Sequence, residues 1–170
     1  MVSNVVIDAN CWSAYVDESV RGDTKGLAIS TYETASKLGA IIFDSGLLIR
    51  QQYVQVKRGI GEQLFETFFE RGVLSGTVRL VAVNPSKDVF KHLQTLGVPR
   101  KEHIYFHTAC AGGASHLVSE DIDFFDPTLK GKSALHTRRA KKKGKGRVCR
   151  EFSKTKGITI CCMETFVADH

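Results

Sequence analysis

Residues 101–125, KEHIYFHTACAGGASHLVSEDIDFF, decide the fold. A helical pattern from Arg100 to Gly112 gives way to a short strand candidate, Ser115–Val118, and Ser119, Glu120, Asp121 and Asp123 follow at once. The same alternation recurs along the chain. Strand candidates lie at 5–7, 40–43, 77–83 and 158–162, and helical patterns cover 11–19, 26–38 and 46–72, the last broken near Gly59 and Gly61. A further helix opens at Pro85-Ser86 and runs to Leu96. Strands alternating with helices predict an α/β fold of three layers, a central, mainly parallel sheet flanked by helices. Ligands of such sheets collect outside the carboxyl ends of the strands. Asp8 ends the first strand, so two distant segments deliver carboxylates to one rim.

Length and composition favour a single globular domain: 170 residues, 42% hydrophobic, 25% charged, with three Pro and fifteen Gly. No apolar run approaches the ~20 residues of a membrane span, and MVSNVVID lacks the layout of a secretory signal, so a cytoplasmic protein is expected. The five cysteines are odd in number and contain no CxxC pair, which predicts reduced thiols. Cys161 and Cys162 would face opposite sides of a strand, so at most one needs burial.

The net charge of +6 is unevenly spread. Residues 129–157 hold twelve Lys or Arg and one acid, Glu151, for +11; the remainder holds twelve bases and seventeen acids, for −5. The densest run is RRAKKKGKGR, and Arg138, Arg139, Lys141, Lys142, Lys143, Lys145 and Arg147 are candidate nucleic-acid contacts, because clustered cations gain affinity by releasing phosphate counterions. Self-repulsion and two glycines predict a surface loop.

Carboxylates gathered within a few ångströms repel one another unless a hard dication neutralises them, which points to Mg²⁺ or Mn²⁺ and phosphoryl chemistry. Taken singly, Asp8 also reads as a helix N-cap, Asp121 and Asp123 as turn residues, and Glu102 as an acid favoured at a helix N-terminus.

Together, VVIDANCW (5–12), the 101–125 stretch and GITICCMETF (157–166) resemble a PIN domain, a small metal-dependent nuclease fold. The resemblance spans most of the chain. It implies one domain over 1–170, with a basic insertion at about 127–156 before the last strand (157–163). It implies metal-binding and catalytic roles for Asp8, Glu102, Asp121 and Asp123, with Asn10 and Ser119 orienting ligands or water. Two positions depart from the pattern. Glu102 stands where the family usually has Asp, and LLIRQQYVQV (47–56) offers Gln51 or, preferably, Gln52 where a helix usually supplies Glu. A glutamine brings no charge, which weakens metal binding.

His103 and His107 share one helix face, but no HExxH motif surrounds them, so they read as core-edge or surface histidines rather than zinc ligands. Trp12, Tyr15 and Phe106 read as core; Phe124 and Phe125 beside the acids could also stack on an unpaired base.

The expected function is divalent-metal-dependent hydrolysis of RNA phosphodiester bonds, as a toxin or defence effector of toxin–antitoxin type. The resemblance implies RNA as substrate, an inhibitor or antitoxin protein as partner, and a homodimer. The alternative is a nucleic-acid-binding module with weak or lost cleavage; a partner-binding scaffold is a third reading. Phosphate-directed cations carry no sugar preference, so DNA stays open as the polymer.

Overall fold

The computed structural model describes residues 3–142 and 144–170. The chain runs β1 (Asn4–Ile7), α1 (Ala9–Val20), α2 (Leu27–Leu38), β2 (Ile41–Asp44), α3 (Leu48–Val56), α4 (Ile60–Ser75) and β3 (Val78–Val81). It continues with α5 (Lys87–Thr95), α6 (His103–Ala111), β4 (Ala114–Val118), α7 (Ala134–Lys142), α8 (Arg147–Lys156), β5 (Thr159–Cys161) and α9 (Met163–Ala168). Three short 3-10 turns lie at Arg100–Glu102, Ile122–Phe124 and Pro127–Leu129.

The strands form one parallel sheet in the order β3-β2-β1-β4-β5. Val5, Val6 and Ile7 are all buried, so β1 is covered on both faces, as its β-branched run requires. Right-handed crossovers put the β1-to-β3 connections on one face and the β3-to-β5 connections on the other. Contacts agree. α2 packs on β1 and α9, and α6 packs on β1, β2 and β4 with α5 beside it. One aromatic core centres on Trp12, Tyr53 and Phe65, and a second joins Phe106, Phe124 and Phe152.

The helical stretch expected over 46–72 is two helices, α3 and α4, and the break falls at Gly59, whose φ of +72° few L-residues adopt. The basic segment differs from expectation. Among the described residues two helices, α7 and α8, flank a short non-helical stretch at 144–146. In α8, Val148, Cys149 and Phe152 share one buried face, and Phe152 packs 4.8 Å from Phe106 between ring centroids; this burial outweighs the self-repulsion of the cations. The glycines fall in the turn between α7 and α8, so they divide the run instead of melting it. Gly146 lies against the Phe125 carbonyl so closely that any side chain would collide.

Both Cys161 and Cys162 are buried, against the expectation of one, because β5 ends at Cys161 and α9 folds back over Cys162. All five cysteines are free thiols. Among the described residues no helix is long and apolar enough to cross a membrane.

Candidate active site

β1 and β4 are neighbours, paired in register with Ile7 opposite Val118. The chain moves outward from β1 toward β3, then returns to β4 and proceeds to β5 on the other side. The crevice at the carboxyl ends of β1 and β4 is therefore the sheet's topological switch point, where such folds bind ligands. Asp8 and Ser119 leave the sheet side by side there, with the Asp8 N–H donating to the Val118 carbonyl at 2.8 Å.

Asp8 occupies the N-cap position of α1, yet its carboxylate makes no capping bond. Instead Oδ2 accepts from the Ser119 hydroxyl at 2.8 Å, and Ser119 Oγ accepts from the Asp121 N–H at 3.0 Å. One hydroxyl thus ties the first acid to the loop that carries the others. Both peptide groups flanking Asp8 are held by tyrosines: the Tyr53 hydroxyl donates to the Ile7 carbonyl at 2.7 Å, and the Ala9 N–H donates to the Tyr105 hydroxyl at 3.2 Å. Tyr105 in turn donates to Gln52 Oε1 at 2.8 Å. Gln52 is thereby fixed in the site wall, while Gln51 on the same helix is exposed.

Burial pushes the Asp8 carboxyl from its ordinary 3.8 to about 6, against the opposing Ser119 hydrogen bond, with Asp121 adding repulsion. Glu102, in the 3-10 turn before α6, is 4% exposed. Burial and the nearby Asp8 raise its carboxyl from 4.5 to about 7, although Lys101 Nζ lies 3.2 Å away. Asp121 and Asp123 form a tight turn in which Asp121 Oδ1 accepts from the Asp123 N–H at 3.0 Å. Asp123 is 1% exposed; Lys130 Nζ meets its Oδ2 at 2.7 Å, and its Oδ1 is buried with no partner.

An open cavity of about 440 Å³ is lined by Asp8, Asn10, Gln52, Gln55, Lys101 and Glu102. A second, of about 430 Å³, is lined by Asn10, Glu120, Asp121, Ile122, Thr137 and Lys141. Asn10 is a wall common to both, so the acidic recess opens toward α7.

The basic residues divide. Lys141 contacts Glu120, and Lys142 Nζ meets Glu164 at 2.8 Å, so these two fasten α7 to the rim. Arg138, Arg139, Lys145 and Arg147 are exposed. Lys143 lies outside the described residues. Phe124 and Phe125 are fully buried, which removes them as stacking platforms. His103 and His107 are also buried, and His103 Nε2 bonds the Val98 carbonyl. Three participants escaped the sequence reading: Lys130, Tyr53 and Tyr105. The Asp126-Pro127 turn that brings Lys130 back toward Asp123 was the available signal for the first; the phenols carry no local signature.

Among the described residues, no three His, Cys, Asp or Glu side chains are arranged to hold a metal ion. Lys130, Ser119 and Lys101 stand against three of the four acids. The donor set still suits a hard dication. It is all oxygen, one buried carboxylate oxygen is unpartnered, and two carboxyls are held in surroundings that penalise their ionised form. No protein-family model, curated protein or solved structure matches the chain.

Proposed function

We propose that the protein is a divalent-cation-dependent ribonuclease of PIN-like type, acting in the cytoplasm. The observation that supports this reading is the placement of Asp8 and Asp121 at the switch point of a parallel sheet, joined through Ser119, with Glu102 close enough to feel the repulsion of both and a helix rich in cations beside them. Asp8, Asp121 and Asp123, with Glu102, would hold Mg²⁺ or Mn²⁺. When bound, such an ion lowers the pKa of water and offsets the charge that grows on the phosphate oxygens. The chain's own groups do the positioning. Ser119 fixes Asp8, Asn10 lines the passage between the two recesses, and Gln52, bonded to Tyr105 and to the Lys101 carbonyl, braces the wall from α3. The PIN resemblance further implies a homodimer and an inhibitor protein of antitoxin type.

A second reading, an RNA-binding module with weak cleavage, is favoured by one observation. Gln52 is neutral and its oxygen is already committed to Tyr105. Incubation with a mixed RNA pool in Mg²⁺, Mn²⁺ or EDTA separates the two. Cleavage is expected to vanish on chelation and in Asp121→Asn while the fold persists; cleavage surviving both refutes the site. Binding without cutting supports the second reading.

A further inference from the structure

A second cationic surface lies beyond the densest part of the basic run. On α8, Arg147, Arg150 and Lys154 recur at i, i+3 and i+7, on the side opposite the buried Val148, Cys149 and Phe152. All three are exposed, and among the described residues none enters an ion pair. Glu151, the acid beside them, lies 3.9 Å from His92. By contrast Lys141 and Lys142 on α7 already face Glu120 and Glu164.

We infer that the outer stripe of α8 is a track for a nucleic-acid phosphate backbone leading to the acidic recess. This deepens the proposed function by naming the surface that receives the polymer. Three facts argue for it. The helix begins against the loop that follows the acids: the Arg147 N–H donates to Asp126 Oδ2 at 3.4 Å and the Val148 N–H to the Phe125 carbonyl at 3.0 Å, so α8 starts on the segment that carries Asp123. Its length suits a strand, since seven residues of helix rise about 10 Å, enough to meet more than one backbone phosphate. Its chemistry suits phosphate rather than a lipid surface, because the apolar residues of α8 are turned into the core and none accompanies the cations. The helix itself is rigidly seated through Phe152 against Phe106, so the cations are presented in fixed order.

The test is fluorescence anisotropy with short labelled single-stranded RNA and DNA, in EDTA and in an Asp121→Asn background, so that neither metal nor cleavage enters. The triple variant Arg147→Gln, Arg150→Gln, Lys154→Gln is expected to lose at least about tenfold in RNA affinity near 0.15 M salt. Its log–log salt slope should fall by about 2, at ~0.7 for each lost phosphate contact. Charge-retaining Arg147→Lys, Arg150→Lys, Lys154→Arg should bind like the parent. Equal replacement of the exposed Arg21, Lys25 and Arg71 by Gln, remote from α8 in sequence, should leave affinity within twofold. Weakening on both RNA and DNA makes the phosphate the determinant, and weakening on RNA alone makes the ribose polymer the source; either supports the track. Circular dichroism confirms folding of each variant. A folded Gln variant that binds within twofold of the parent overturns the inference, as does tighter binding of the parent to phosphatidylserine vesicles than to RNA. Absence of cleavage by the parent protein in a separate incubation with RNA in Mg²⁺ or Mn²⁺, alongside a clear α8 effect here, would sink the nuclease reading and leave the track standing.

Discussion

Replacing Asp8 by Asn should stabilise the metal-free protein. The carboxyl is 2% exposed and burial raises it from 3.8 to about 6, so its ionised form costs the fold about 3 kcal/mol at neutral pH. Asn keeps the shape, and its carbonyl oxygen can still accept from the Ser119 hydroxyl. Its new amide donors need partners, which reduces the gain to about 1–2 kcal/mol, or about 2–8 °C in Tm for a chain of this size. The pH dependence follows from the direction of the shift. Folded Asp8 binds more protons than unfolded Asp8 between about pH 4 and 6, so its contribution to stability falls as pH rises through that window and is fully unfavourable above it. Glu102 acts in the same sense up to about 7. Thermal melts in EDTA at pH 8 and near pH 4 therefore should show a gain for Asp8→Asn at the higher pH that disappears at the lower. A variant that is less stable than the parent at pH 8, or equally shifted at both pH values, would show that the buried Asp8 carboxylate does not strain the fold.

Three further outcomes follow from the same geometry. Lys130→Met removes the ammonium from Asp123 Oδ2 and should raise Mn²⁺ affinity several-fold in calorimetric titration, because the ion no longer competes with an internal cation. Tyr105→Phe leaves the buried Ala9 N–H without its acceptor and frees Gln52; urea denaturation should show a loss of about 1–3 kcal/mol. Phe152→Ala should cost about 3–5 kcal/mol in the same assay, since α8 is part of the core and not an appendage; a loss below 1 kcal/mol would contradict that packing.

The three-layer α/β arrangement was legible because its signals are local. The β-branched run at 5–7 and the helix–strand succession of 101–118 reappear as β1, α6 and β4. The proximity of Asp8 to the 119–121 segment was legible by the rule that strand ends collect ligands, and Asp8, Ser119 and Asp121 are joined through one hydroxyl. Helix α8 was missed because charge density was weighed without the spacing of Val148, Cys149 and Phe152, three residues whose burial fixes a helix. The burial of Phe124 and Phe125 and the tyrosine bonds around Asp8 depend on partners about 18 to 100 positions away, which no local window contains.

The most direct measurement of the central claim is anomalous scattering from crystals grown with Mn²⁺. A peak is expected within coordination distance of the Asp8 and Asp123 carboxylates, with Lys130 displaced from Asp123. A peak elsewhere on the surface, or none at millimolar Mn²⁺ with the four acids ordered, would contradict it.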